Sequence, residues 1–189
     1  MAQFIVIDEG TFPMRMRLAV FTFILCLIFT TQAFAEEKSV YLEDTDQKRL
    51  KIATLTLTGN TYTLAFIDAP FGDYFLSMRP FRCIENVGMV CHQPYPYDLK
   101  RTLSDTDLRP LEYDLLFIAR KPGEYGIDPY NGRYFKLSKT DNGFDGIIHA
   151  VDLNILASPP DDRVIYPIDD DVLDELEAES AQYPKLIIE

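Results

Sequence analysis

Two cysteines, Cys83 and Cys91, are separated by seven residues. If Glu85 pairs with Met89, the loop between the strands is residues 86–88, and its last residue is the glycine that a type I turn followed by a left-handed bulge position requires. The same register sets the two cysteines opposite each other, at a cross-strand Cβ distance of about 4.5–5.5 Å that is near what a disulfide bridges. The spacing therefore predicts a structural disulfide across a tight hairpin. A redox-active pair is the less favoured interpretation, because catalytic dithiols usually occur as Cys-x-x-Cys.

An apolar run at residues 18–29 follows the basic residues Arg15 and Arg17 and precedes small residues that end at Ala35. This order of positive, apolar and small residues is typical of a secretory signal peptide. The run has 12 residues, whereas a helix that crosses a membrane needs about 20. We therefore expect a signal peptide at residues 1–35 that is cleaved after Ala35, and a periplasmic or secreted protein with no membrane segment after processing.

Residues 1–13 carry two acidic side chains where a signal peptide normally opens with positive charge. We hypothesise that translation starts at Met14 or Met16 and that residues 1–13 are a misassigned start. The third cysteine, Cys26, lies inside the predicted signal peptide. Its removal would leave an even pair of cysteines.

Removal of residues 1–35 leaves 154 residues, which carry the whole net charge of -12. A chain of this length is the size of one domain with a single core. Its negative field repels phosphate backbones and anionic lipid headgroups, so we expect neither nucleic acid nor a membrane surface as a partner. The sequence contains no nucleotide-binding loop and no metal-ligand cluster of standard spacing, so no cofactor is predicted.

Residues 50–58 and 61–68 are rich in β-branched side chains and flank Gly59-Asn60, a pattern typical of a two-residue hairpin. Residues 113–119 fit either a strand buried on both faces or a short helix. Further strands are predicted at residues 74–84, 89–92, 133–138 and 144–156. Many short strands, with most of the 12 prolines and nine glycines in loops, predict a mainly β domain at residues 36–168, folded as an antiparallel barrel or sandwich.

The sequence changes character at residue 169. Three consecutive aspartates offer an N-cap, and apolar residues follow at helical spacing. The pattern predicts a short acidic C-terminal helix and tail at residues 169–189. The nine carboxylates between residues 161 and 179 are interpreted as a solvated face, with a specific cation or partner site as the alternative.

Four segments carry a family resemblance. They read FLSMRPFRC at residues 75–83, CHQPYPY at 91–97, LEYDLLF at 111–117 and EYGIDPY at 124–130. Between about residues 50 and 160 the chain resembles a family of uncharacterised exported bacterial proteins. The resemblance implies export and implies no activity.

One stretch has the character of a metal-binding loop. Residues 141–152 place acids at positions 1, 5 and 12 of an EF-hand pattern, with glycine at position 6. Position 3 is Gly143 and position 12 is an aspartate in place of the usual glutamate. Asp141, Asp145 and Asp152 are therefore candidate calcium ligands, and the alternative is an ordinary hairpin turn with Asn-Gly chemistry.

Tyrosines are the candidates for ligand contact, since each combines a flat apolar ring with a polar tip. Tyrosine and phenylalanine together make up 18 of the 154 residues. The alternative is that they fill the core of a domain that lacks tryptophan. The candidate ligand-binding residues are Tyr95, Tyr97, Tyr125, Tyr130 and Tyr134.

These observations favour a non-enzymatic binding module of the bacterial envelope that binds a small apolar ligand or another envelope protein. The alternative is an envelope hydrolase that uses carboxylates with His92 or His149, the only two histidines. A cleft that gathers a histidine with two or more carboxylates would favour the enzyme. An apolar cavity or a flat aromatic patch would favour binding.

Overall fold

The computed structural model describes residues 34–121, 123–160 and 165–189. The predicted signal peptide and the alternative start lie outside the described residues, apart from Phe34 and Ala35. In the described part of the chain, no helix combines the length and the apolar character that a membrane crossing requires.

The described residues form eleven strands, one short α-helix and four single turns of 3-10 helix. The helix α1 spans Arg109–Asp114. The strands are β1 (Ala35–Glu43), β2 (Arg49–Thr58), β3 (Thr61–Phe66), β4 (Gly72–Phe75), β5 (Pro80–Glu85), β6 (Met89–His92), β7 (Phe117–Arg120), β8 (Gly132–Lys139), β9 (Phe144–Val151), β10 (Asp174–Glu175) and β11 (Lys185–Ile188). The 3-10 turns are Pro129–Asn131, Leu153–Leu156, Asp170–Val172 and Ala178–Ser180.

All strands belong to one antiparallel sheet that curls into a half-barrel. Ten of them follow the order β3-β2-β1-β11-β9-β8-β7-β6-β5-β4, and β10 pairs with β9 beside this path. The predicted mainly β, antiparallel fold class is therefore confirmed. The last strand, β11, lies inside the sheet between β1 and β9.

The hairpin of β2 and β3 has the predicted two-residue turn, with Thr58 opposite Thr61. Gly59 has a φ of 61°, in the left-handed region that glycine adopts without steric cost. Tyr62 is buried and the next residue is exposed, because successive side chains of a strand point to opposite faces of the sheet.

The cysteine hairpin also has the predicted register, with Cys83 opposite Cys91 and Glu85 opposite Met89. The two sulfurs lie 2.11 Å apart, as in a disulfide. The expected left-handed conformation of Gly88 is wrong, because its φ is not positive. Glycine is favoured there for a different reason, since a Cβ would lie 3.2 Å from the carbonyl oxygen of Arg120 on β7, closer than most Cβ contacts.

Residues 113–119 combine both predicted alternatives. The helix α1 carries Pro110 in its first turn, where the fixed φ of proline fits a helix and its missing N–H costs nothing. It ends at Asp114, and β7 begins at Phe117. The segment thus changes from helix to strand within three residues.

The predicted C-terminal helix at residues 169–189 is wrong. This segment forms two 3-10 turns, the short strand β10 and the strand β11. A helix would place Asp171 near Glu175 and Glu175 near Glu179, and like charges at this spacing destabilise a helix. Residues 185–188 instead gain backbone hydrogen bonds on both sides, from β1 and β9.

The core consists of a larger and a smaller cluster, with a third around the disulfide. The strand β8 separates the first two, because Phe135 and Leu137 belong to the larger cluster and Tyr134 to the smaller one. The helix α1 contributes side chains to both clusters, with Leu111 in the larger cluster and Tyr113 in the smaller one. This arrangement leaves cavities where the turns meet the ends of the sheet.

Candidate functional site

Tyr95 and Tyr97 lie together after β6, where prolines end the strand. Their rings pack edge to face with 5.6 Å between the centroids. The hydroxyl of Tyr97 donates a hydrogen bond of 2.9 Å to the carbonyl oxygen of Leu156. Both tyrosines line a cavity of about 480 Å³ with Tyr166 and Arg101. The structure therefore brings these two predicted ligand-binding residues together.

The other three predicted tyrosines lie elsewhere. Tyr125 and Tyr130 have relative exposures of 104% and 69% and do not line the cavity beside Tyr95. Tyr134 is buried, and its hydroxyl donates a hydrogen bond to the carboxylate of Glu112. The five residues thus occupy three environments and do not form one site.

Glu112 is a buried carboxylate on α1. It accepts the hydroxyl of Tyr134 and, at 2.7 Å, the backbone N–H of Leu137. Burial raises the pKa of Glu112, and the two hydrogen bonds oppose that rise. Because its oxygens are engaged in linking α1 to β8, Glu112 has a structural role.

The three candidate calcium ligands are not brought together. Asp141 lies in the turn before β9, Asp145 lies on β9, and Asp152 follows the far end of that strand. A strand rises about 3.3 Å per residue, so Asp145 and Asp152 are separated by roughly 23 Å. The carboxylate of Asp152 instead accepts the backbone N–H of Asn154 at 2.9 Å. In the residues that the structure describes, no three His, Cys, Asp or Glu side chains are placed to hold a metal ion.

The two histidines occupy different settings. The ring of His92 lies 4.1 Å from that of Phe66, and its Nε2 is 3.0 Å from the backbone carbonyl oxygen of Asp114. Burial lowers the pKa of His92 to about 4, so the ring is neutral at pH 7 and its Nε2–H donates this hydrogen bond. The Nδ1 of His149 lies 3.0 Å from the carbonyl oxygen of Ile147 on the same strand.

Another cavity, of about 570 Å³, lies where the β1–β2 turn, the β5–β6 turn and the segment before β11 meet. We call it the arginine cavity. Its apolar wall comes from the larger core cluster, and its polar groups come from β7, β8 and the segment before β11. The lining residues that define it are Val90, Phe135, Ile148, Arg120, Arg133 and Gln182.

Arg133 is half-buried on β8 in this cavity. Its Nη1 donates to the carbonyl oxygen of the neighbouring Gly132 at 2.8 Å. Within the described ranges, neither Arg133 nor Arg120 forms an ion pair with a carboxylate. Burial lowers the pKa of the Arg133 guanidinium. The charge therefore lies in a poorly solvated place without a counter-charge on the described chain.

Two further donors of the cavity lack partners. The Nε of Arg120 and the Nε2 of Gln182 are buried, and neither has a hydrogen-bond partner among the described residues. Buried polar groups of folded proteins are nearly always hydrogen-bonded, so unpaired donors call for an explanation. Both side chains line the cavity that contains Arg133, and an arginine beside an apolar wall can bind a ligand that has both an anionic and an apolar part.

The sequence analysis missed this site, although one signal for it exists. Residues on a strand alternate between the two faces of a sheet. Arg133 therefore shares a face with Phe135 and Leu137, both of which are apolar. A lone arginine on the apolar face of a strand marks a buried charge, and this parity is readable without a structure. The contribution of Gln182 is not readable in that way, because it lies in an irregular segment.

No family model, curated protein or solved structure matches this chain. The resemblance to exported bacterial proteins stays a prediction.

Proposed function

We propose that this protein is a non-enzymatic binding module and that the arginine cavity is its site for a small ligand with an apolar body. One observation carries the proposal. The cavity of about 570 Å³ combines an apolar wall with Arg133, which has no ion-pair partner on the described chain, and with two side chains that each carry a buried donor atom without a partner there. Cavities of roughly 300–1,000 Å³ with mostly apolar walls and a few placed polar groups are typical of small-molecule sites.

The hydrolase alternative receives no comparable support at His92. It requires His92 or His149 beside two or more carboxylates. His92 is enclosed by aromatic rings and bonded to a backbone carbonyl. That carbonyl belongs to Asp114. The side-chain carboxylate of Asp114 accepts hydrogen bonds from Arg101 at 2.8 and 2.9 Å and from the hydroxyl of Tyr62 at 2.8 Å.

The proposed site is tested with a blocking variant. Ala119 lines the arginine cavity from β7, so Ala119→Phe should fill part of it. Ala65→Phe is the matched control, because Ala65 is exposed on β3 and does not line the cavity. We expect Nile red, an uncharged apolar dye, to bind saturably to the wild type and to Ala65→Phe, and to lose most of its affinity for Ala119→Phe.

Fluorescence titration measures this binding, and circular dichroism checks that each variant is folded. Equal affinity of all three proteins, or no saturable binding to the wild type, would contradict the proposed site. If Ala119→Phe does not fold, the smaller Ala119→Leu replaces it.

We further propose that the protein is exported to the periplasm or secreted. The Cys83–Cys91 pair at disulfide distance supports this, because disulfides persist mainly in oxidising compartments. The sequence of the predicted signal peptide supports it independently. Mass spectrometry of the protein isolated from its native compartment should give a chain that begins at Glu36, and a chain that retains residues 18–29 would contradict the proposal.

A further inference from the structure

The arginine cavity is basic in an acidic protein. The whole chain has a net charge of -12, and the cavity between α1 and β8 is lined by six acidic and three basic residues. The arginine cavity instead has four basic side chains against three acidic ones, namely Lys48, Arg120, Lys121 and Arg133 against Asp44, Asp46 and Glu179. One acid and one base are already paired, since Asp46 lies 3.0 Å from the Nζ of Lys48, which leaves three basic side chains against two acidic ones. The local balance therefore favours an anion where the overall charge of the protein repels one.

The lack of an ion pair at Arg133 does not follow from a shortage of carboxylates. The chain has 30 acidic residues for 18 basic ones. Four other arginines each form an ion pair with a carboxylate, namely Arg49, Arg82, Arg101 and Arg109. Removing a charge from water without a counter-charge costs free energy. A half-buried Arg133 that has no carboxylate on the described chain is thus expected where a ligand supplies the anion.

The chemistry of the cavity restricts the class of anion that it can bind. A guanidinium matches the two oxygens of a carboxylate through parallel hydrogen bonds. The three acidic side chains at the cavity oppose a dianion or a polyanion more than a single carboxylate. The wall beside Arg133 is formed by Phe135 and Ile148, which favours an apolar body attached to that carboxylate.

We propose that the arginine cavity binds small amphipathic carboxylic acids, with the carboxylate at Arg133 and the apolar body against Phe135 and Ile148. This inference rests on the proposed function, because it names the ligand class of the same cavity.

The test compares an acid with the alcohol of the same chain length. Isothermal titration of the purified protein at neutral pH uses decanoate, decanol and phenylbutyrate as probes. Hydrogen bonds to charged groups are the stronger ones, so decanoate should bind about tenfold or more tighter than decanol. Phenylbutyrate carries an aromatic group where decanoate carries an aliphatic chain. Whichever of the two acids binds more tightly shows whether the cavity prefers an aromatic or an aliphatic ligand.

Three variants test whether the preference for decanoate over decanol depends on Arg133. Arg133→Met should bind decanoate no better than decanol, because methionine keeps apolar bulk without charge. Arg133→Lys should keep only part of the preference, since it retains the charge and loses the planar fork. Arg79→Met is the matched control, because Arg79 is exposed and lies outside the cavity, and it should keep the full preference.

The outcomes separate this inference from the proposed function. If decanoate and decanol bind equally well to the wild type, the cavity binds ligands but the inference is overturned. If none of the probes binds, the proposed function fails with it. The melting temperature of the unliganded protein provides a further check, because loss of an unpaired buried charge should leave Arg133→Met at least as stable as the wild type. A clear fall in melting temperature would assign Arg133 a structural partner and would overturn the inference.

Discussion

His92 is a residue whose ionisation is coupled to folding. Its ring is enclosed by Phe66 and Phe117. Burial lowers its pKa from 6.5 to about 4. The unfolded state therefore binds more protons than the folded state between these pH values, and the contribution of His92 to stability is fully present above pH 6.5 and is lost as the pH falls toward 4.

A His92→Phe variant should show a weaker dependence of stability on pH than the wild type. A pKa difference of this size corresponds to roughly 3 kcal/mol of folding free energy, and phenylalanine has no proton to bind. Urea titrations at several pH values between 4 and 7 measure the free energy of unfolding. His149→Gln is the control and should keep the wild-type slope. An unchanged slope in His92→Phe would contradict the assigned pKa.

The β5–β6 hairpin is the element that the sequence specifies most completely. Its two cysteines are fully buried and directly paired. The glycine in its turn allows the backbone of β7 to approach, so the hairpin and its neighbour constrain each other. A covalent bond across the hairpin reduces the conformational freedom of the unfolded chain.

The double variant Cys83→Ala/Cys91→Ala should therefore be less stable than the wild type by about 2–3 kcal/mol, on the chain-entropy relation for a short loop. Denaturant titration measures the difference. Dithiothreitol reduces the buried disulfide when the wild type unfolds, so unfolding titrations in its presence should give a free energy of unfolding lower by a similar amount. The free energy of unfolding of the double variant should not change with dithiothreitol. Equal stability of the oxidised wild type and the variant would show that the bond contributes nothing.

At the scale of the whole molecule, the first and last strands of the described residues pair with each other inside the sheet. β11 joins β1, β2 and β3 to the strands β4–β9, because it pairs with β1 on one side and β9 on the other. Its side chains Leu186 and Ile188 are buried in the larger core cluster. The integrity of the sheet thus depends on the last residues of the chain.

Leu186→Ala should lower the free energy of unfolding by about 2–5 kcal/mol, because a fully buried leucine loses its contacts and leaves a cavity. Ile165→Ala is the control, since Ile165 is 61% exposed and exposed substitutions usually change stability by less than about 0.5 kcal/mol. Denaturant titration of both variants compares the two losses. Similar losses would contradict the central position of β11.

Local sequence patterns were sufficient to predict the two hairpins, the pairing of Cys83 with Cys91 and the mainly β fold class. Turn residues and period-two alternation act over a few residues, so these features are specified locally. Nothing in the sequence indicated that β11 would pair with β1. The helical spacing of apolar residues in the segment 169–189 predicted a helix instead. Strand pairing across the whole length of the chain depends on partners that local propensity does not describe.

The candidate site divides in the same way. The parity of β8 places Arg133 on an apolar face, and this much is present in the sequence. Three-dimensional packing is what places Arg133, Arg120 and Gln182 around one cavity and keeps the predicted tyrosines from sharing one. A cavity is bounded by segments that are distant along the chain, here the turns near residues 46 and 87 and the segment before β11. Its shape and its unpaired donors therefore follow from packing, which no single stretch of sequence encodes.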